Sequence, residues 1–192
     1  MIVIPPRIES AQGHVAAMYQ EDLDADGFVS SHTQAMAIDP EAHEQFEALI
    51  GAIMPSIGLR TYELATLGAA RALGSAHCLL AHGRKTLRAG LLDEDELVAF
   101  AVGGDVDGLS EADAAVVRFA ERLSTDAAAM TDADSQSLRD HGFSDRQIVD
   151  IALAAGVRNL FSRTLQALAV PVDEVPGLSP ALADALLTPT RR

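Results

Sequence analysis

Glu63, Ser75, Cys78 and His82 follow the spacing E-x11-S-x2-C-x3-H, which sets the only thiol of the chain beside an acid and an imidazole. An unpaired cysteine is most often a small core residue. Here the neighbours point to chemistry, because Cys78 and His82 are one helical turn apart and share a helix face. A reactive thiol needs a base to take its proton and a third group to orient that base. His82 and Glu63 are the candidates for those two tasks, with Cys78 the candidate nucleophile. His77 adjoins Cys78 but points about 100° around the helix. It either delivers a proton to a departing oxygen or faces solvent.

The pattern predicts the elements that would position these groups. Pro5-Pro6 blocks helix entry, and a first helix is expected over 9–22, then a loop over 24–31 and a short helical turn over 32–37. Asp39-Pro40-Glu41 is a helix start, with a capping residue, proline at the first position and an acid in the first turn. That helix is expected to stop near 55–58, and another runs from Gly58 to about Leu73. In the second, Leu59, Glu63, Leu67 and Ala70 fall on one stripe, which predicts a buried carboxylate. Gly74 ends it, and Ser75 is placed to cap the next, so Cys78 is expected in a first turn, near free backbone N–H groups and the positive helix end.

Leu92 and Asp93 open a further short helix, and Gly103, Gly104 and Gly108 read as a flexible hinge. Ser110, Thr131 and Ser144 each start a helix; the last carries Ile148, Ile151, Ala155, Phe161 and Leu165 and stops before Pro171. No convincing strand is present. The expectation is all-α: a single helical domain over 1–192, with halves at about 9–101 and 110–170 and a flexible tail over 171–192 that reads as a loop plus one short helix.

Composition narrows the function. Hydrophobic residues make up 48% of the chain but aromatics only 4%, which favours closely packed helices. The formal net charge of −14 argues against phosphate-backbone binding and so against a nucleic-acid partner. No apolar run reaches the roughly 18 residues a membrane span requires, and the first seven residues do not read as a secretory signal. A cytoplasmic protein is expected. No cofactor is called for. A metal site built from Cys78, His82, His77 and Glu63 is disfavoured because adjacent residues 77 and 78 diverge. His14, His32, His43 and His141 read as surface or capping residues, and His43 with Glu47 as an exposed polar pair. Asn159 and Arg163 share a face of the last long helix, where they contact a pocket, a subunit partner, or simply each other's surroundings as a structural polar pair.

At Glu63 and the segment Ser75-Ala76-His77-Cys78-Leu79-Leu80-Ala81-His82 the chain resembles the carboxymuconolactone decarboxylase-like superfamily, in particular its alkyl hydroperoxidase D-like branch. That branch carries a glutamate, a C-x2-C pair and a following histidine on consecutive helices; residues 109–155 resemble its second helical half. The resemblance implies an alkyl hydroperoxidase D-like helical bundle that assembles as a homo-oligomer (dimer, trimer or hexamer). It implies a peroxidatic role for Cys78 and proton-relay roles for His82, Glu63 and His77. Ser75 stands where the family has its first cysteine, which resolves the oxidised second cysteine as an internal disulfide. Ser75 lines the motif but cannot do that, so turnover would require an external thiol reductant. The expected activity is therefore a thiol-dependent, peroxiredoxin-type peroxidase acting on hydrogen peroxide or alkyl hydroperoxides. The alternatives are a decarboxylating lyase, for which Arg60, Arg71 and Arg84 would have to converge on an anionic substrate, and a non-enzymatic redox-sensing oligomer.

Overall fold

The computed structural model describes residues 1–103 and 108–191. Among these the chain forms α1 (Gly13–Asp26), α2 (Ser31–Met36), α3 (Pro40–Leu73), α4 (Ala76–Arg88), α5 (Glu94–Val102), α6 (Glu111–Asp126), α7 (Asp132–Asp140), α8 (Asp145–Ala167) and α9 (Pro180–Leu187), with short 3-10 turns and no strand. The all-α expectation holds. No helix among the described residues is long and apolar enough to cross a membrane.

The centre is α3, packed against α6, α8 and α4. Asp39 caps it by accepting from the Ala42 N–H at 3.1 Å, with Pro40 at the first position. Pro55 lies inside, and Gly58 adopts φ 75°, ψ 163°, so the run bends sharply there. The two helices predicted on either side of 55–58 thus form and meet at the non-helical Gly58, with no loop between them. Past the kink every residue from Tyr62 to Ala70 is buried, Glu63 included, because this segment is covered by neighbouring helices. Gly68 marks a close approach of α3 to α6: a Cβ there would lie 3.0 Å from the Val117 carbonyl oxygen on α6.

Gly74, at φ 60°, closes α3, and the Ser75 N–H returns to the Ala70 carbonyl at 2.9 Å. α4 begins at the next residue, so Gly74 and Ser75 alone turn the chain from α3 into α4. Ser75 occupies the cap position as expected, but its side chain makes no capping bond; Oγ is buried without a hydrogen-bond partner. The capping box at Ser144 and Gln147 forms as read.

Other expectations shift. The first helix runs four residues further, to Asp26, and ends at Gly27 (φ 79°) rather than before residue 24. The predicted hinge lies partly outside the described residues. Over residues 171–191 the expected loop and one short helix form: Pro180 and the Ser179 cap start α9, which buries Leu182, Ala185 and Leu186 against the bundle. Gly83 makes room for it, since a Cβ there would lie 2.7 Å from Leu186. Asp173 holds the preceding segment by accepting from the Ser31 N–H and Oγ, each at 2.7 Å.

Candidate functional site

The α3–α4 hairpin sets Glu63 opposite His82. The two meet at 2.6 Å, Glu63 Oε2 to His82 Nδ1, and Glu63 is fully buried. Lys85, one turn from His82 at the protein surface, places Nζ 3.4 Å from the other carboxylate oxygen. Burial opposes the charge on Glu63, but His82 and Lys85 more than offset it, and its carboxyl titrates below its ordinary value. His82 moves down to about 4, first through burial and then through the charge of Arg158, against the pull of Glu63. At neutral pH the pair is therefore a carboxylate and a neutral imidazole. Nδ1–H donates to Glu63, which leaves the Nε2 lone pair available.

Cys78 lies in the first turn of α4 and is buried. Its partners are not those the spacing predicts. No hydrogen bond joins it to His82, although both line one cavity. Instead Ser162 Oγ donates to Sγ at 3.2 Å and Arg158 Nη1 at 3.4 Å, both from α8. Arg158 is only 4% exposed, and among the described residues no carboxylate lies within ion-pair distance of it. Burial disfavours its charge, but the Cys78 sulfur and the Tyr62 hydroxyl keep the guanidinium protonated. Its Cζ lies 5.4 Å from the Phe161 ring centroid. A hydrogen-bond donor and a fixed positive charge therefore both face the sulfur, an arrangement that favours negative charge there.

His77 lines the same cavity and is half-buried. Its Nε2–H donates to the Val170 carbonyl at 3.0 Å. That carbonyl is presented by the turn after α8, where Ala169 takes a left-handed φ of 48°. His32 was expected at the surface; it is half-buried and lines the cavity, its ring 6.2 Å from that of His77 and 6.1 Å from Phe161. Burial lowers its pKa, with Asp22 and Asp173 opposing. His141 accords with a capping role, its Nδ1–H donating to the Ser137 carbonyl at 2.7 Å. The cavity encloses about 440 Å³, with apolar wall from Phe46, Ile50, Met54 and Phe161.

Asn159 and Arg163 take the structural reading: Asn159 donates to Ser124 Oγ at 2.9 Å and Arg163 to the Ser124 carbonyl at 3.2 Å, tying α8 to α6. The three arginines that a decarboxylase site would need do not converge. Arg60 pairs with Asp113, Arg71 with Glu121 and Arg84 with Asp26. The cations at the cavity are Lys85, paired with Glu63, and Arg158, whose sequence signal is a charge on the buried stripe of α8, beside Ala154, Phe161 and Leu165.

Residues 40–122 match the carboxymuconolactone decarboxylase family. The fold matches an alkylhydroperoxidase AhpD core, a peroxidase-related protein from Ralstonia eutropha JMP134, with TM-score 0.76 and 21% identity, over 98% of this chain and 95% of that one. A peroxidase-related protein from Silicibacter sp. TM1040 gives 0.72 and 22%, over 90% and 96%. The debrominase Bmp8 gives 0.76 and 19%, over 96% and 97%; a cysteine-to-alanine form of that debrominase has been solved with 2,3,4-tribromopyrrole. No curated protein matches the chain.

Proposed function

We propose that this chain, whose residues 40–122 match the carboxymuconolactone decarboxylase family and whose fold is AhpD-like, is a thiol-dependent peroxidase with Cys78 as its one redox-active residue. The observation that carries this reading is the buried Arg158 guanidinium, which faces the Cys78 sulfur and, among the described residues, has no carboxylate to neutralise it. A buried cation without an anion is costly, and a thiolate supplies the anion.

In this reading His82 Nε2 accepts the thiol proton across the cavity, and Glu63 holds the ring and offsets the charge that develops on it. The sulfur attacks the distal oxygen of a hydroperoxide and the O–O bond breaks. Two electrons leave the sulfur, and the departing alkoxide takes the proton that His82 accepted, either directly or with His77 as a relay that regains a proton from His82. The products are Cys78 sulfenic acid and an alcohol, or water when the substrate is hydrogen peroxide. One external thiol then displaces water to give a mixed disulfide, and a second releases the Cys78 thiol and leaves as disulfide. Ser75 takes no part in this reduction. The apolar wall suits alkyl hydroperoxides, and a cytoplasmic thiol pool would supply the reductant. The proposal includes a homo-oligomer, supported by the apolar stripe of Val149, Leu153 and Leu160 that α8 leaves exposed.

A second reading is attack of the same thiol on a halogenated aromatic ring. The stacked Phe46 and Phe161 rings, 5.1 Å apart on the cavity wall, favour it. One assay separates the two. Consumption of cumene hydroperoxide with a dithiol reductant is expected to run for many turnovers in the wild type and to stop in Cys78→Ser. Release of bromide from 2,3,4-tribromopyrrole without hydroperoxide consumption would support the second reading instead.

A further inference from the structure

The cavity is also bordered by His43 and Glu47, one turn apart on α3, and there they meet His14 from α1. His14 Nε2 lies 3.1 Å from His43 Nδ1. Glu47 Oε2 lies 3.7 Å from His43 Nδ1 and 3.9 Å from His14 Nε2. Three atoms that bear lone pairs thus converge on one point. A hydrogen bond between the rings uses the one proton on the facing nitrogens and leaves none to offer the carboxylate; with the ring protons on the far nitrogens, all three facing atoms present lone pairs. A cation between them would satisfy all three.

We propose that His14, His43 and Glu47 bind a divalent transition metal of the zinc class, with the fourth coordination position left to water or to a ligand in the cavity. Two imidazoles and one carboxylate are a donor set suited to such ions. A tetrahedral ion with bonds of about 2.0–2.1 Å holds its donors roughly 3.3 Å apart. The 3.1, 3.7 and 3.9 Å separations reach that value through side-chain adjustments of about half an ångström. The half-exposed Glu47 carboxylate gives an entry path, and Glu21 and Asp22 on the same cavity add negative charge that favours a cation. The sequence hides the site because only the i,i+4 pair is visible along the chain, and the third donor comes from another helix.

The consequence is mechanical. α1 buries Met18 and Tyr19 in a small cluster with Val29 and Ala37, separate from the main core. A metal shared by α1 and α3 would clamp that cluster to the bundle and wall one side of the cavity, adding its binding free energy to folding. This inference stands whether or not Cys78 reduces hydroperoxides.

The test uses the full chain freed of metal. Titration with Co2+ is expected to give visible absorption that saturates at one equivalent, with no thiolate charge-transfer band. Zn2+ should displace the Co2+ and raise the melting temperature. His14→Ala and Glu47→Gln are expected to weaken binding by more than ~100-fold, beyond the ~10–100-fold loss typical of an outer-shell partner, and Cys78→Ser to leave it unchanged. Glu47 is half-exposed, so Glu47→Gln reports on the site with the fold intact, as circular dichroism would verify. The proposal is overturned if the wild type shows no saturable binding. It is equally overturned if binding survives both ligand substitutions, or if it disappears in Cys78→Ser.

Discussion

A guanidinium set among Tyr62, Phe161 and a cysteine sulfur, with no carboxylate beside it among the described residues, loses its hydration and has only the Cys78 sulfur as a partner for its charge. Replacement of Arg158 by Met should therefore leave thermal stability unchanged or raised. It should slow Cys78 oxidation by roughly 10- to 100-fold, the effect of about 1.5–3 kcal/mol from a hydrogen bond to a charged group. Stopped-flow oxidation alongside a thermal melt checks both outcomes together. Glu63 was legible in the sequence because a carboxylate interrupts an apolar stripe. Arg158 shows the same signal on α8, but its neighbours Asn159 and Arg163 mask it as part of a polar stretch. His82 gives a second prediction. Between pH 6.5 and about 4 the unfolded chain binds a proton at this residue that the folded chain refuses. Stability should accordingly fall as pH drops through that window, by about 3 kcal/mol in all, with no contribution from His82 above it. The carboxylate of Glu63 adds loss in the same direction once pH falls below its ordinary value of 4.5. Urea melts stepped across the window should show the slope in the wild type and a shallower one in His82→Gln; equal slopes would mean that the imidazole is not sequestered.

At the level of helices, most boundaries were readable because they depend on local chemistry. The Asp39-Pro40 start, the Gly74 stop and the Ser144–Gln147 box each act within one turn of chain. What was not readable is where helices meet. Cys78 was paired with His82 from i,i+4 spacing, yet its contacts come from α8, more than eighty residues later in the chain for Ser162. The docking of α9 is of the same kind, since its fit depends on the absent side chain at Gly83. Gly68 lets α3 approach α6 in the same way, but against backbone, which cannot swing aside. Gly68→Ala is expected to destabilise by about 1–3 kcal/mol, seen as a lower urea midpoint with little change in slope. An unchanged midpoint would mean that the two helices separate freely. The same change should disturb Glu63 little, because the carboxylate is held by α4.

For the molecule as a whole, the acidic balance and the apolar faces point to different partners. A net charge of −14 keeps copies apart in dilute salt, while Val149, Leu153 and Leu160 leave an apolar stripe along α8 at helical spacing. Gly156 lies within that stripe, and a Cβ there would meet nothing within 4 Å. Light scattering on the eluting protein should give a mass above that of one chain, with Leu153→Glu shifting it toward the monomer; a wild-type monomer at all concentrations would remove the oligomer from the account. Composition alone conveyed the helical class, since Ala and Leu dominate an aromatic-poor core. It conveyed nothing of the cavity, whose walls come from α1, α2, α3, α4 and α8 together.

The central claim is that Cys78 is oxidised directly by a hydroperoxide, and intact-mass analysis after one equivalent of cumene hydroperoxide, with dimedone present, tests it most directly. A single dimedone adduct is predicted, confined to the peptide that holds Cys78 and absent from Cys78→Ser. An unmodified protein whose thiol still reacts with an alkylating agent after the peroxide has been added would contradict it.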